Sequence, residues 1–376
     1  MCALSIESMG QRLADQHPPT AKVDLQFLDC GIRVRSNSSE LIDLLRAYFE
    51  PFVADSIEPA ITVVAVEAKP PGFDDPFTIH QPEPPKTNIK EEYLTVEGGR
   101  IVSKRKTGMV LRLGGDTNLA IGPCLANANQ IVNFINGRYQ QWRLDRGGIL
   151  LHAAGVCHGP YGIAIAGFSG AGKSTLALHL MSHGATFVSN DRIIVDRREN
   201  HQSMHGVPKL PRVNPGTILN NPNLTSLLSL DERKEFAALD EASLRKLENK
   251  YDVPIDRCFG PDRHVLASSM VALILLNWQP GAGPTRVSRA QLDERQDLFP
   301  AFTKSLGVFY DPEQPIELGR TPDEAYLDIL EGTPVLEIYG GVNFAAATEA
   351  CLDLLAMSYP VTPTSPHIGT TPCCSR

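Results

Sequence analysis

A chain of 376 residues with 42% hydrophobic and 21% charged positions can bury a substantial core as two domains or one large one, which excludes wholesale disorder. Lys plus Arg number 35 against 43 Asp plus Glu, a formal net charge of -8, so a general polyanion binder is not expected and nucleic acid is a poor partner. No run reaches the roughly 18 apolar residues of a membrane span, and the first sixteen positions lack the apolar core of a signal peptide.

The first twenty residues are polar and read as a loose N-terminus. Strand-like composition covers Val23 to Val34, and Ser38 or Ser39 is placed to cap the short helix that LIDLLRAYF predicts. Ile61 to Val66 reads as a strand. Six prolines between Pro70 and Lys86 mark a long loop. Alternation over Glu92–Val96, Ile101–Ser103 and Met109–Leu113, with glycines between, predicts an antiparallel meander. Asn127 to Leu144 is a long helical stretch with Ile131, Phe134 and Ile135 on one side. Residues 21–147 therefore read as a small α+β domain.

Past Gly147-Gly148 the texture changes, and residues 148–358 read as a second, α/β domain. Ile149–Val156 and Gly162–Ala166 are short apolar runs, and Thr186–Val188 is a strand ending at Asn190-Asp191. Ser229 to Lys250 predicts a charged helix with Leu230, Phe236, Leu239, Leu244 and Leu247 inward. Ala267–Trp278 is a buried strand; Thr321-Pro322-Asp323-Glu324 a capping box opening a helix to about Leu330; Pro334–Tyr339 a strand; Asn343–Met357 a closing helix. Residues 359–376, with four prolines and four threonines, read as a flexible tail. The eight cysteines contain no CxxC pair, which fits reduced thiols in a cytoplasmic protein better than a metal cluster or a disulfide framework.

The strongest signal is Gly167-Phe168-Ser169-Gly170-Ala171-Gly172-Lys173-Ser174, which matches G-x-x-x-x-G-K-[ST] without a mismatch. A strand-like GIAIA precedes it and the helical STLALHLMSHG follows, the context that a phosphate cradle needs. Glycines let successive N–H groups point at phosphate oxygens, and the helix adds its positive end. The expected binding set is Gly167, Ser169, Gly170, Ala171, Gly172, Lys173, Ser174 and Thr175, with Lys173 on the β and γ phosphates of ATP and Ser174 on Mg²⁺. In a parallel sheet the adjacent strand would end beside this loop. Asp191 is thereby expected to reach Mg²⁺ or the attacking hydroxyl, and Arg192 either touches phosphate or pairs with an acid. His205-Gly-Val-Pro-Lys209-Leu-Pro-Arg212 is a stiff cationic segment that either holds triphosphate or an acidic acceptor, or is a solvated turn. His179 and His183 lie four apart on a helix without a third ligand, which favours packing or surface roles.

The segment LHA…YGIAIAGFSGAGKSTLALHLMSHGATFVSNDRIIV resembles the core of bacterial HPr kinase/phosphorylase, a P-loop family that shares its fold with the ATP-dependent phosphoenolpyruvate carboxykinases. The likeness is good over residues 149–215. The whole chain more closely resembles the HPr-kinase-related kinases of type B, which occur with an ATP-grasp protein in the bacterial GAK gene clusters. The resemblance implies a kinase of that fold behind a small α+β domain, using ATP and Mg²⁺ on an unidentified protein or small-molecule acceptor. It implies catalytic roles for Asp191 and for His152, which from the residues alone is a buried or strand-end histidine of no special rank. Lys173 and Arg212 complete the candidate catalytic set, Lys209 joins the nucleotide contacts, and Ser174, Asp191 and Asn190 are the candidate metal ligands. It also implies an ATP-grasp partner and a homo-oligomer. Two departures stand out: the family's pair of acids is Asn190-Asp191 here, and its later Glu-Arg-Gly signature is absent. An amide can coordinate but cannot take a proton, so an ATP-binding partner protein with little phosphotransfer is the alternative reading.

Overall fold

The computed structural model describes residues 15–82, 87–114, 118–198, 201–240, 243–244, 247, 249–310 and 322–357. Two sheets organise them. In the first, Ala21–Phe27 (β1) and Cys30–Ser36 (β2) form an antiparallel hairpin, so the stretch expected over 23–34 is two strands. Their two-residue turn contains no glycine, and Leu28 takes φ 58° instead, which is why composition did not mark it. Ser38 caps helix α1 (Ser39–Tyr48), accepting from the Leu41 amide at 3.2 Å. Ile61–Glu67 (β3) is parallel to β2.

The proline-rich loop carries a two-residue strand, Thr78–Ile79 (β4), and its residues 83–86 lie outside the described residues. Glu91–Val96 (β5), Gly99–Lys104 (β6) and Met109–Leu113 (β7) make the expected meander. Asn118–Gly122 (β8), not foreseen from composition, joins β7 to β3 and completes the order β1-β2-β3-β8-β7-β6-β5-β4. Helix α2 (Ala128–Leu144) packs on this sheet through Ile131, Phe134, Ile135 and Tyr139, with the Phe27 and Tyr139 rings 5.4 Å apart. Each such side chain contributes roughly 1.5–3 kcal/mol by leaving water. The opposite face of α2 is also buried, and it is polar: Asn136 and Gln140.

The second sheet runs β12-β10-β11-β17-β14-β13-β9, with β19 beside β17 and β18 beside β19. Its strands are Ile149–Leu151 (β9), Ala153–His158 (β10), Tyr161–Gly167 (β11), Thr186–Ser189 (β12), Ile193–Arg198 (β13), His201–Gly206 (β14), Ala267–Trp278 (β17), Arg286–Arg289 (β18) and Val335–Gly340 (β19), while Arg212–Val213 (β15) and Tyr251–Asp252 (β16) pair separately. Lys173–Ser182 (α3), Pro215–Leu219 (α4), Leu230–Ala237 (α5), Ile255–Phe259 (α6), Phe299–Phe302 (α7), Pro322–Leu330 (α8) and Phe344–Met357 (α9) are its helices. Strand β17 shows why both faces are covered. Ile274 and Leu276 enter the core under α3, and Leu273 and Leu275 enter the core under α7 and α8, following the two-residue pleat.

The apolar run 149–156 is not one strand. It breaks at His152 into β9 and β10, which lie at opposite parts of the sheet. A single connecting residue can join them only if the sheet curls until its ends meet. The same closure is needed between β12 and β13, three residues apart. Strand β12 is also not adjacent to β11, as expected from a simple parallel sheet; β10 lies between, antiparallel to both.

The helix expected over 229–250 ends at Ala237. Leu230 is 74% exposed, and only Phe236 of the proposed inner face is buried within it. Asp240 then accepts from the Ser243 amide at 2.7 Å, a local cap that competes with helix continuation. Leu244 and Leu247 still pack against the core from outside that helix. Thr321 and the tail from Ser358 lie outside the described residues. Among the described residues no helix is long and apolar enough to cross a membrane.

Candidate functional site

The glycine-rich segment leaves β11 at Gly167 and enters α3 at Lys173. Gly172, the residue before the helix, has φ 91°, and a Cβ there would lie 2.6 Å from the Phe344 ring. A Cβ on Gly167 would lie 2.8 Å from the Leu276 carbonyl oxygen. Both positions therefore require glycine, one on conformation and contact, the other on close approach of β17. No side chain caps α3 and no acid stands in its first turn, so its leading amides and positive end face the cavity unopposed. Lys173 Nζ donates to the Gly167 carbonyl at 2.8 Å and reaches Phe168 O at 3.5 Å. Burial pulls its ammonium below the usual lysine range, with the Asp191 charge opposing and Lys304 adding to the shift.

Ser174 Oγ donates to Asn190 Oδ1 at 2.6 Å, and the Thr175 and Thr217 hydroxyls are 2.8 Å apart. Asn190 and Asp191 form the turn between β12 and β13, where Asp191 adopts φ 70°, a conformation Asp tolerates better than most residues. Its Oδ1 is 3.0 Å from His152 Nε2, and its Oδ2 is 4.0 Å from Arg192 Nε. Burial alone would raise the Asp191 carboxyl. The hydrogen bond from His152 and the charges of Lys304, His152 and Arg192 outweigh it and hold the group well below the usual carboxylate range. Both His152 and the Asp191 turn sit at the seam where the curled sheet meets itself.

Arg192 Nη1 donates to Gln140 Oε1 at 2.9 Å, and the Tyr310 hydroxyl donates to the same oxygen at 3.0 Å. The Asp191 turn is thereby tied to α2 of the first sheet. Lys209 borders the same space, and burial pulls its ammonium down against the Asp191 charge. Arg212 also borders it, but its guanidinium is paired with Asp252 at 3.0 Å and bonded to the Lys250 carbonyl. The structure thus brings all the expected residues to one cavity of about 1350 Å³, except Gly167, whose carbonyl accepts from Lys173. Among the described residues, Lys104, Arg138, Lys173, Arg192, Lys209, Arg212 and Lys250 border the cavity, against one carboxylate, Asp191.

Sequence reading missed Gln140, Trp278, Lys304, Tyr310 and Phe344. Trp278 Nε1 donates to the Ala171 carbonyl at 2.8 Å and fixes the loop. Phe344 stacks on His179 with rings 5.7 Å apart and 8° from parallel, so that histidine packs rather than ligates. Only the place of Trp278 at the carboxyl end of a strand parallel to β11 carried a signal. The others converge from remote segments. Ser174, Asn190 and Asp191 offer hydroxyl, amide and carboxylate oxygens, the hard donors that suit Mg²⁺ with several retained waters. Among the described residues no cluster of three His, Cys, Asp or Glu side chains suits a metal ion.

No family model matches the chain, and no curated protein matches it. It is similar to a solved structure described as that of the Hpr(Ser) kinase/phosphatase from Coxiella burnetii, at 17% identity over 55% of this chain and 88% of that one. The TM-score is 0.28, a degree of superposition that carries no weight for activity.

Proposed function

We propose that the chain is a phosphotransferase that moves the γ-phosphoryl group of ATP onto an acceptor hydroxyl. The observation that carries this reading is one cavity holding both the glycine-rich loop with Lys173 and Ser174 and, joined to it through the 2.6 Å Ser174–Asn190 bond, the His152–Asp191 pair. The amides before and within the first turn of α3 cradle the β and γ phosphates. Lys173 exchanges its bonds to Gly167 and Phe168 for phosphate oxygens, a trade of neutral carbonyls for charged acceptors. Ser174, Asn190 and Asp191 are the residues that would hold Mg²⁺, which supplies charge neutralisation between the phosphates. Asp191, held ionised, orients the acceptor hydroxyl in line. Its weak basicity suffices because a loose transition state leaves the nucleophile's proton in place until late. His152 fixes the carboxylate and excludes other orientations.

The test is label transfer from γ-labelled ATP with Mg²⁺, comparing wild type with Lys173→Ala in a fractionated cell extract. Label on one acceptor, lost in the variant, supports the kinase. A second reading, a nucleotide-gated partner protein with little transfer chemistry, is favoured by one observation: position 190 is an amide already engaged by Ser174. Lys173-dependent ATP binding without label transfer would establish it.

A further inference from the structure

We propose that the α2 side of the cavity is the acceptor site and that the acceptor is a small hydroxylated anion, not a protein side chain. This rests on the phosphotransferase reading and adds the class of the second substrate. Three observations carry it.

The first is room. A site for one drug-sized ligand occupies roughly 300–1,000 Å³, and this cavity measures about 1350 Å³. It extends from the glycine-rich loop to α2, so a nucleotide on the loop leaves the α2 side to a second molecule.

The second is an unanswered hydrogen-bond acceptor. Asn136, on α2 and bordering the cavity, is only 2% exposed. Its Nδ2 donates to the Pro208 carbonyl at 3.0 Å, which fixes the amide's orientation. Its Oδ1 is buried with no donor from the protein. A buried amide oxygen without a donor is costly, and a ligand hydroxyl satisfies it. The neighbouring Gln140 has spent its amide oxygen on Arg192 and Tyr310.

The third is charge. Lys104 is neutralised by Glu91 at 2.8 Å and Arg212 by Asp252 at 3.0 Å. Lys209 has no carboxylate within ion-pair distance among the described residues, and the Arg192 guanidinium is held by Gln140 with its nearest carboxylate oxygen 4.0 Å away. These two cations flank Asp191 and suit a carboxylate or phosphate on the acceptor. Hydroxyl recognition by Asn136 and anion recognition by Arg192 and Lys209 define a hydroxylated anion. A protein serine side chain brings one hydroxyl on one methylene and carries no second group of its own for Asn136 or the two cations.

In the transfer, the acceptor hydroxyl oxygen bonds to the γ-phosphorus while the bond from that phosphorus to the bridging oxygen breaks. ADP leaves with that electron pair, and the hydroxyl proton passes to the Asp191 carboxylate and on to water.

The test uses the full-length protein with γ-labelled ATP and Mg²⁺. Glycerate, glycerol 3-phosphate, ribose 5-phosphate and gluconate are the probes, glycerol and ribose the uncharged controls, and a serine-containing peptide the protein-type acceptor. Label is expected on at least one anion, about tenfold or more above its uncharged counterpart. Asn133→Asp, at an exposed position on the cavity wall, adds a like charge and is expected to raise the KM for that anion about fivefold. Asn136→Leu is expected to raise it by a similar factor, and neither changes the affinity for a non-hydrolysable ATP analogue. Label on the peptide, label on none of the four anions, or an unchanged KM in both variants overturns the proposal. Failure of the underlying reading looks different: the ATP analogue then does not bind, or binds equally well to Lys173→Ala.

Discussion

Ser174 and Asn190 are joined by a 2.6 Å hydrogen bond between side chains sixteen residues apart, one on the first turn of α3 and the other at the end of β12. That bond ties the phosphate cradle to the turn that carries Asp191. It also places an amide where a second carboxylate would strengthen a site for a divalent cation.

Asn190→Asp keeps the acceptor for Ser174 and adds a charge. The Mg²⁺ concentration giving half-maximal ATP binding is expected to fall about tenfold. Calorimetric titration of ATP at several Mg²⁺ levels measures this, and an unchanged or raised half-saturation contradicts a metal role for position 190.

His152 bonds Asp191, and in the proposed reaction it acts by positioning that carboxylate. His152→Ala is expected to lower phosphoryl transfer about 10–100-fold while leaving the affinity for ATP within about twofold. An equal loss in both quantities would mean that the histidine holds the whole site together rather than its carboxylate.

Gly172→Ala puts a methyl group 2.6 Å from the Phe344 ring and forces a side chain onto φ 91°. A loss of about 1–3 kcal/mol is expected in denaturant titration. Adding Phe344→Ala removes the collision but not the backbone strain. The double variant should therefore recover only part of what the contact cost, net of the core the ring fills.

His264 supplies a pH dependence of stability remote from the cavity. Its ring packs edge-on to Phe52 and Phe187, and burial pushes its pKa down to about 4. The unfolded chain, with a histidine near 6.5, binds the proton first as pH falls. Stability from this group is thus complete above about pH 6.5 and declines toward pH 4, by roughly 2 kcal/mol after discounting for partial exposure. His264→Phe should flatten that part of the profile, as read by chemical denaturation at pH 4.5 and 7.

The sequence made the local features legible and left the convergent ones dark. The strand Ala267–Trp278 is legible because its two-sided burial gives the unbroken apolar run Met270–Leu276 at its centre. The glycine-rich segment announces itself because its backbone demands fix residue type at each turn. The break at His152 has no such sign, since apolar residues on both sides suit one strand as well as two. Nor could spacing tell that Gln140, Tyr310 and Arg192 meet, because their contact depends on how two sheets are set against one another. Ser229–Lys250 failed for a simpler reason: helical spacing of leucines says nothing when the first of them faces water.

The seam of the curled sheet has an evolutionary consequence. One residue joins β9 to β10 and three join β12 to β13, so an insertion or deletion at either crossing would swap inward and outward side chains along the following strand. The crossing points that set His152 against Asp191 cannot drift in length without wrecking the core. Helix α2 and the 207–212 segment bear no such constraint, for they meet the cavity as a wall and a rim. Under the proposed reaction, the acceptor contacts Asn136 and Lys209 lie outside the crossings and Arg192 lies within one, so a lineage can exchange the first two while the seam stays fixed.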